Sequence, residues 1–152
     1  MKLTVKDQEV AEAVERLMGQ LRERDRTLAG LRDQLVELEA QRRLENLPGT
    51  PRIVTEVLPG WSAEMTSALA GRLAAAGSTI AALATSDGRV IVARSSDLDL
   101  DAAALLRRAL EPLGGRGGGR PAFAQGAVPP EQVHDALASL RAEVHRLLGV
   151  KP

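Results

Sequence analysis

The sequence predicts an α/β protein, in which a long N-terminal coiled-coil helix precedes a small mixed-sheet domain with the element order β-α-β-β-α-loop-α. Three observations lead to this class. Apolar residues recur every three or four positions over residues 7–46, Pro48 and Gly49 end that pattern, and short apolar runs then alternate with amphipathic stretches. We therefore divide the chain into a helical stalk, residues 1–47, and an α/β domain, residues 48–152.

The stalk helix, predicted for residues 7–46, carries a heptad seam in which Arg24 is the single polar member. The apolar members of the seam are Val10, Val14, Leu17, Leu21, Leu28, Leu31, Leu35 and Leu38. A lone helix leaves such a seam in water, so the pattern predicts a partner helix. That partner is either the same helix of a second chain or a segment outside this sequence.

Turn and capping residues mark the ends of the predicted helices and strands in the α/β domain. Ser62 is a helix N-cap, Gly77 ends that helix, and Asp87-Gly88 is a hairpin turn. The acidic stretch from Asp97 to Asp101 supplies a cap and favourable dipole charge for a further helix. The predicted elements are a strand at 52–57, a helix at 62–76, strands at 79–84 and 90–94, a helix that follows the acidic stretch and runs to about Leu113, and a last helix from Pro130 to Gly149.

Composition excludes several kinds of site. The chain has no cysteine, and its twenty basic residues balance twenty acidic ones, which rules out thiolate chemistry and disfavours nucleic-acid binding by bulk charge. His134 and His145 are separated by about three helical turns, roughly 16 Å, too far to share a metal ion. The sequence shows no secretory or membrane-spanning run, so we expect a cytoplasmic protein without metal or cofactor.

The segment LGGRGGGRPAFAQG, residues 113–126, is rich in glycine and arginine. It lacks the Gly-Lys-Ser/Thr of a Walker A loop and follows a helix, which excludes the common nucleotide-binding fingerprints. Consecutive glycines leave backbone amides open to an anion, and Arg116 and Arg120 can reach phosphate oxygens. Composition leaves two interpretations of a loop at 114–119, a phosphate-binding loop and a mobile linker.

The surroundings of this segment are locally basic. Arg107 and Arg108 join the two arginines of the segment, against Glu111 alone, so residues 102–126 carry an excess of three positive charges. In a chain of zero net charge, this island favours contact with an anionic partner.

The end of the segment resembles a known family. The pattern GG-x-GGGRP-x-x-AQ is typical of the C-terminal, DHH-associated domain of alanyl-tRNA synthetases and of the longer free-standing alanyl-tRNA editing proteins (AlaX type). The matching residues are Gly114, Gly115, Gly117, Gly118, Gly119, Arg120, Pro121, Ala124 and Gln125. Ala122 stands where synthetases often have an acidic residue, and Phe123 where Met or Leu is usual, which favours the editing-protein branch.

The resemblance implies a module that binds RNA without reacting. In the family, editing is performed by an upstream zinc domain with paired His/Cys motifs, which a chain without cysteine does not contain. We expect this chain to contact the backbone of tRNA, an alanine-accepting one, at its outer elbow. The expected contact residues are Arg107, Arg108, Arg116, Gly117, Gly118, Gly119, Arg120 and Gln125.

The stalk is expected to pair two copies of the chain or to set the distance between the α/β domain and an upstream editing or synthetase domain. The expected dimer contacts are Val14, Leu17, Leu21, Leu28, Leu31, Leu35 and Leu38. An alternative is a purely structural dimerisation domain of a larger alanyl-tRNA editing hydrolase, with no RNA contact of its own. A phosphoesterase acting on short oligonucleotides would require metal-binding carboxylates and histidines that the sequence does not supply.

Overall fold

The computed structural model describes residues 5–151 and confirms the predicted α/β class. A five-stranded mixed sheet lies between two layers of helices. The helices are α1 (Val5–Asn46), α2 (Ala63–Ala75), α3 (Ala102–Leu110) and α4 (Val133–Leu148), and the strands are β1 (Arg52–Leu58), β2 (Thr79–Thr85), β3 (Arg89–Arg94), β4 (Arg116–Arg120) and β5 (Phe123–Ala127). The chain divides between Leu35 and Val36 into two compact units.

The strand order in the sheet is β1-β2-β3-β5-β4. β1 and β2 are parallel and are joined through α2, whereas the other neighbouring pairs are antiparallel. β2 is buried along its whole length because helices cover both of its faces. The two outer strands, β1 and β4, are the edges of the sheet.

Side chains that alternate along the strands form a core on each face of the sheet. On β2, Ile80 and Ala82 turn toward α3 and α4, whereas Ala81 and Leu83 turn toward α2. The core under α2 also receives side chains from the last turns of α1, which therefore belong to the globular unit. These side chains include Val36 and Ala40.

An arginine fixes the end of α1 to the sheet. The side chain of Arg43 is only 8 % exposed, and its Nε and Nη2 atoms donate to the two carboxylate oxygens of Glu56 on β1, at 2.8 and 2.9 Å. Its Nη1 atom contacts Glu39 one turn earlier. Such a bidentate pair fixes direction as well as distance.

The predicted cap Ser62 is confirmed, and within the predicted acidic stretch Asp101 is the residue that caps α3. Ser62 Oγ accepts a hydrogen bond from the amide of Met65 at the start of α2. The Asp101 carboxylate accepts from the amides of Ala103 and Ala104, both at 3.0 Å, at the start of α3. These contacts satisfy amides that have no partner within the helix.

The prediction of a glycine-rich loop at 114–119 is wrong for most of its length. Residues 116–120 form strand β4, paired antiparallel with β5, so the element order is β-α-β-β-α-β-β-α. Glycine has low strand propensity and offers no apolar alternation, so the segment carries no strand pattern of its own. Pairing with β5 and packing under α3 make it a strand.

Candidate nucleic-acid interface

The glycine-rich segment is a β-hairpin whose turn is held to the rest of the fold. The turn residues are Pro121 and Ala122. The amide of Ala102 and the Nε atom of Arg94 donate to the Pro121 carbonyl oxygen at 2.9 and 3.2 Å, and the Arg94 amide donates to the Ala122 carbonyl oxygen at 3.0 Å. The Arg-Pro end of the motif is therefore a fixed point between β3 and α3.

One face of the hairpin is pressed against α3, and its glycines have no room for a side chain. A Cβ atom at Gly117 would lie 2.7 Å from Leu106 Cδ2, and one at Gly126 would lie 2.7 Å from Leu110 Cδ1. Contacts this short do not occur in folded proteins without a shift of the neighbour. Close packing of α3 thus explains Gly117, whereas Gly126 is restricted both by α3 and by the Arg116 carbonyl oxygen of the neighbouring strand.

The other face of the hairpin is exposed; we call it the open face. It consists of Arg116, Gly118, Arg120, Phe123, Gln125 and Ala127, which share one side of the pleat. Phe123 is half-buried and the others are exposed. A Cβ atom at Gly118 would meet nothing within 4 Å. Gly118 thus leaves an open surface between two arginines, opposite Gln125.

The structure adds Arg89, which sequence reasoning missed, to the edge of the open face. Arg89 of β3 and Arg116 of β4 both pair with Ala127 of β5 and lie on either side of it in one row. Arg89 is exposed. Its place beside the hairpin depends on the pairing of β3 with β5, for which the sequence carries no local signal.

The arginines of this surface are unpaired. Within residues 5–151, the side chains of Arg89, Arg116 and Arg120 form no ion pair or hydrogen bond. The nearby carboxylate is Asp87, whose pKa is lowered chiefly by the hydrogen bond from the Thr85 hydroxyl and least by the charge of Arg89. The open face therefore presents three guanidinium groups that form no ion pair, with the Asp87 carboxylate near Arg89.

The two predicted arginines of α3 point to different places. Arg107 lines a groove of about 420 Å³ together with Glu111, Arg116 and neighbouring glycines. Arg108 turns toward α4, where its Nη1 atom lies 3.2 Å from Glu143. The structure therefore brings Arg107 together with the hairpin and leaves Arg108 on another surface.

The comparisons with known proteins agree with this architecture. The model of the DHHA1 domain family matches residues 50–146, more than half of the chain. The chain belongs to the DHHA1 domain family. The predicted DHH-associated domain is thereby confirmed. A search of curated proteins gives no match.

Two kinds of solved structure share the fold of this DHHA1 domain. The C-Ala domain from Aquifex aeolicus alanyl-tRNA synthetase is similar with a TM-score of 0.56 and 20 % identity, over 64 % of this chain and 95 % of that domain. RecJ in complex with Mn²⁺ from Thermus thermophilus gives a TM-score of 0.63 and 22 % identity, over 86 % of this chain but 19 % of the RecJ chain. A second exonuclease RecJ bound to manganese is similar over 92 % of this chain and 34 % of its own, with a TM-score of 0.62 and 19 % identity.

Among the described residues of this DHHA1 chain, no group of three His, Asp or Glu side chains could bind a metal ion. His134 lies at the start of α4 and His145 near its end. Among residues 5–151, no helix is long and apolar enough to cross a membrane.

The predicted dimer seam of α1 is exposed along the helix. Its members are between 42 % and 64 % exposed, and they are Val14, Leu17, Leu21, Leu28, Leu31, Leu35 and Leu38. α1 spans 42 residues, a length of about 63 Å at 1.5 Å per residue. An exposed apolar stripe at heptad spacing is typical of a coiled-coil partner surface.

Proposed function

We propose that this DHHA1 module binds the backbone of RNA, with tRNA as the partner, and that it does no chemistry itself. One observation carries the proposal: Arg89, Arg116 and Arg120 surround the open face, and none of them forms an ion pair within residues 5–151. Unpaired guanidinium groups on a rigid sheet suit phosphate oxygens, because the planar fork donates two parallel hydrogen bonds. The resemblance of the glycine motif to that of alanyl-tRNA synthetases and editing proteins supports tRNA as the RNA.

The spacing of the three arginines suits a ligand with repeated negative charges. Arg116 and Arg120 are four residues apart on one strand, roughly 13 Å, and Arg89 lies two strands from Arg116, roughly 10 Å. Gly118 keeps the surface between them low, so a phosphate backbone can approach the sheet. Arg107 adds a fourth positive charge beside Arg116.

Filter binding of tRNA at several salt concentrations tests this function. We expect Arg116→Ala combined with Arg120→Ala to weaken binding and to reduce the slope of log affinity against log salt by roughly 1.5, since each lost phosphate contact removes about 0.7 to 0.9. Arg146→Ala is the control, because Arg146 is paired with Glu143 on α4. The proposal fails if the double variant binds tRNA with unchanged affinity and slope.

The structure also allows the predicted contact residues to be ranked. Arg107→Ala is expected to weaken tRNA binding more than Arg108→Ala, because Arg108 is engaged with Glu143. Competition between alanine-accepting tRNA and other tRNAs measures selectivity, and nuclease footprinting of the bound tRNA tests contact at the elbow. Protection confined to the acceptor end would contradict the elbow assignment.

A second function, dimerisation through the stalk, rests on the exposed seam of α1. Leu21→Glu with Leu28→Glu places four carboxylates in the seam of a dimer, whereas Ala29→Glu changes only an exposed residue beside it. In sedimentation equilibrium we expect a dimer for the wild type and for Ala29→Glu, and a monomer for the double variant. A monomeric wild type at micromolar concentration would rule out self-pairing but would leave RNA binding untouched.

These measurements separate the main proposal from the purely structural alternative. A module that dimerises and shows no tRNA affinity at low salt would be a structural domain of a larger protein, such as an alanyl-tRNA editing hydrolase. A module that binds tRNA with the expected salt slope supports the RNA-binding function whatever its oligomeric state.

A further inference from the structure

The sheet has a second exposed edge at β1, at the far end from the hairpin. The amide of Arg52 donates to Ser78 at 2.7 Å, which shows that the even-numbered residues of β1 bond to β2. In a parallel pair the alternate residues then turn both N–H and C=O outward. These are Ile53, Thr55 and Val57, and no described residue hydrogen-bonds to their outward groups.

Two adjoining hollows follow this edge. One, of about 320 Å³, lies between β1 and the end of α1, and the other, of about 480 Å³, lies between β1 and α4. Thr55, Glu56 and Arg141 line both hollows, so the two meet at the middle of the strand. A seven-residue extended segment matches the length of β1, about 23 Å.

The charges around the edge favour an acidic occupant. Three arginines line the hollows, and two of them are paired: Arg42 with Glu39, and Arg43 with Glu39 and Glu56. Glu56 is engaged by the Arg43 guanidinium at 2.8 Å. Arg141 has no ion pair or side-chain hydrogen bond within residues 5–151. The edge therefore combines unpaired backbone groups with one arginine, Arg141, whose charge has no ion-pair partner among the described residues.

We propose that the β1 edge binds an extended peptide segment of a partner protein by strand addition, and that acidic and aliphatic residues alternate in this segment. Side chains on one face of an added strand would enter the α1 hollow, which contains Arg42 and Arg43. Those on the other face would enter the α4 hollow, which contains Leu137 and Ala138. Backbone hydrogen bonds supply affinity in this mode, and the alternating side chains supply specificity.

A second copy of this chain and an RNA strand both fit the edge less well. Pairing β1 with itself would bring the arginines of two edges together, which costs energy through like-charge repulsion. RNA would leave the outward amides of Ile53, Thr55 and Val57 without a ladder partner. The peptide edge and the arginine hairpin are four strand spacings apart, about 19 Å, so each is testable without the other.

Amide NMR spectra of the ¹⁵N-labelled full chain, titrated with synthetic peptides, test the proposal. The probes are seven-residue peptides that alternate Asp or Glu with Val, Ile or Leu, and matched peptides with Lys in place of the acidic residues. We expect the acidic set to shift the amides of Ile53, Thr55 and Val57, and the basic set to leave them unchanged. Equal shifts with both sets, or shifts confined to other elements, would overturn the proposal.

Two variants and two further outcomes sharpen the test. Thr55→Pro removes the central outward N–H, a change that edge strands tolerate, and is expected to abolish the shifts. Arg141→Gln is expected to weaken acidic peptides about threefold to fivefold, and Arg146→Gln on the same helix to have no effect. If a single-stranded RNA oligonucleotide moves these amides and the peptides do not, the edge is a nucleic-acid surface. If Thr55→Pro lowers the oligomeric state, the edge pairs two copies, and either result refutes peptide binding.

Discussion

Adding one methyl group at Gly117 or at Gly118 should have opposite effects on stability, although the two residues are neighbours. An alanine Cβ at Gly117 would lie 2.7 Å from Cδ2 and 3.1 Å from Cγ of Leu106. Leu106 is a fully buried residue of α3, so its side chain is enclosed by the core. The Cβ of an alanine at Gly118 would project from the open face and touch nothing within 4 Å.

The expected magnitudes follow from two opposing effects. Overpacking at Gly117 costs about 1–3 kcal/mol, because Leu106 and α3 must shift. Replacing glycine by alanine also restricts the unfolded chain, which stabilises the fold by about 0.4–1 kcal/mol. Gly117→Ala should thus lower the free energy of unfolding by about 1–2 kcal/mol. Gly118→Ala only restricts the unfolded chain, so it should raise the free energy of unfolding by up to about 1 kcal/mol.

Thermal unfolding followed by the fluorescence of Trp61 measures the difference. Trp61 packs against the core under α2 and therefore reports on the globular unit. A difference of about 2 kcal/mol between the unfolding free energies of the two variants corresponds to a difference of roughly 6–12 °C in Tm for a unit of this size. If the two variants unfold at the same temperature, the close packing of α3 on the hairpin does not explain the glycines.

Two further predictions concern capping and pH. Asp101→Ala removes the N-cap of α3 and should lower the free energy of unfolding, measured in urea titrations, by about 1 kcal/mol. The control Asp99→Ala, at an exposed residue, should change this free energy by less than about half of that amount. Equal effects of the two variants would contradict the capping role of Asp101. Hydrogen bonds from the Ser78 hydroxyl, from Ser95 and from the Ser78 amide hold the pKa of Asp97 well below its ordinary value. The ionised carboxylate is favoured in the folded state, so its contribution to stability is present at neutral pH and is lost as the pH falls below about 4. Asp97→Asn should therefore make the urea midpoint less sensitive to pH between about 5 and 2.5, and an unchanged acid limb would show that Asp97 is not responsible.

Local signals in the sequence predicted most of the regular elements. Ser62 is an N-cap as expected, the acidic stretch supplies the cap of α3 through Asp101, and the Asp87-Gly88 turn joins β2 to β3. Such features can be read from sequence because a cap or a tight turn involves only a few consecutive residues. The stalk helix was predictable for a similar reason, since its heptad seam depends on residues one turn apart.

The hairpin could not be predicted in this way. β4 has no apolar alternation, and its glycines are compatible with a loop, a linker or a strand. Gly117 of β4 is explained by Leu106 of α3, which leaves no room for a side chain there. Gly126 of β5 is restricted by Leu110 of α3 and by the Arg116 carbonyl oxygen of β4. These contacts join residues that are distant in sequence, and they exist only in the folded chain.

The candidate site shows the same division between local and distant information. The sequence identified the glycine motif and the basic island, and the motif led to the family. It could not distinguish Arg107, beside the hairpin, from Arg108, paired with Glu143 on α4, because the two differ only in direction around one helix. It also gave no reason to single out Arg89, which reaches the open face through the β3–β5 register.

By itself, the sequence determined the α/β class, the long seam-bearing helix, the caps and the family, because each depends on the order and spacing of nearby residues. Only the tertiary structure decided that the glycine run is an edge strand under α3, that three unpaired arginines share a surface, and that β1 has an open edge beside Arg141. Strand order and helix packing bring together residues from distant parts of the chain, and local spacing does not encode which of them will meet.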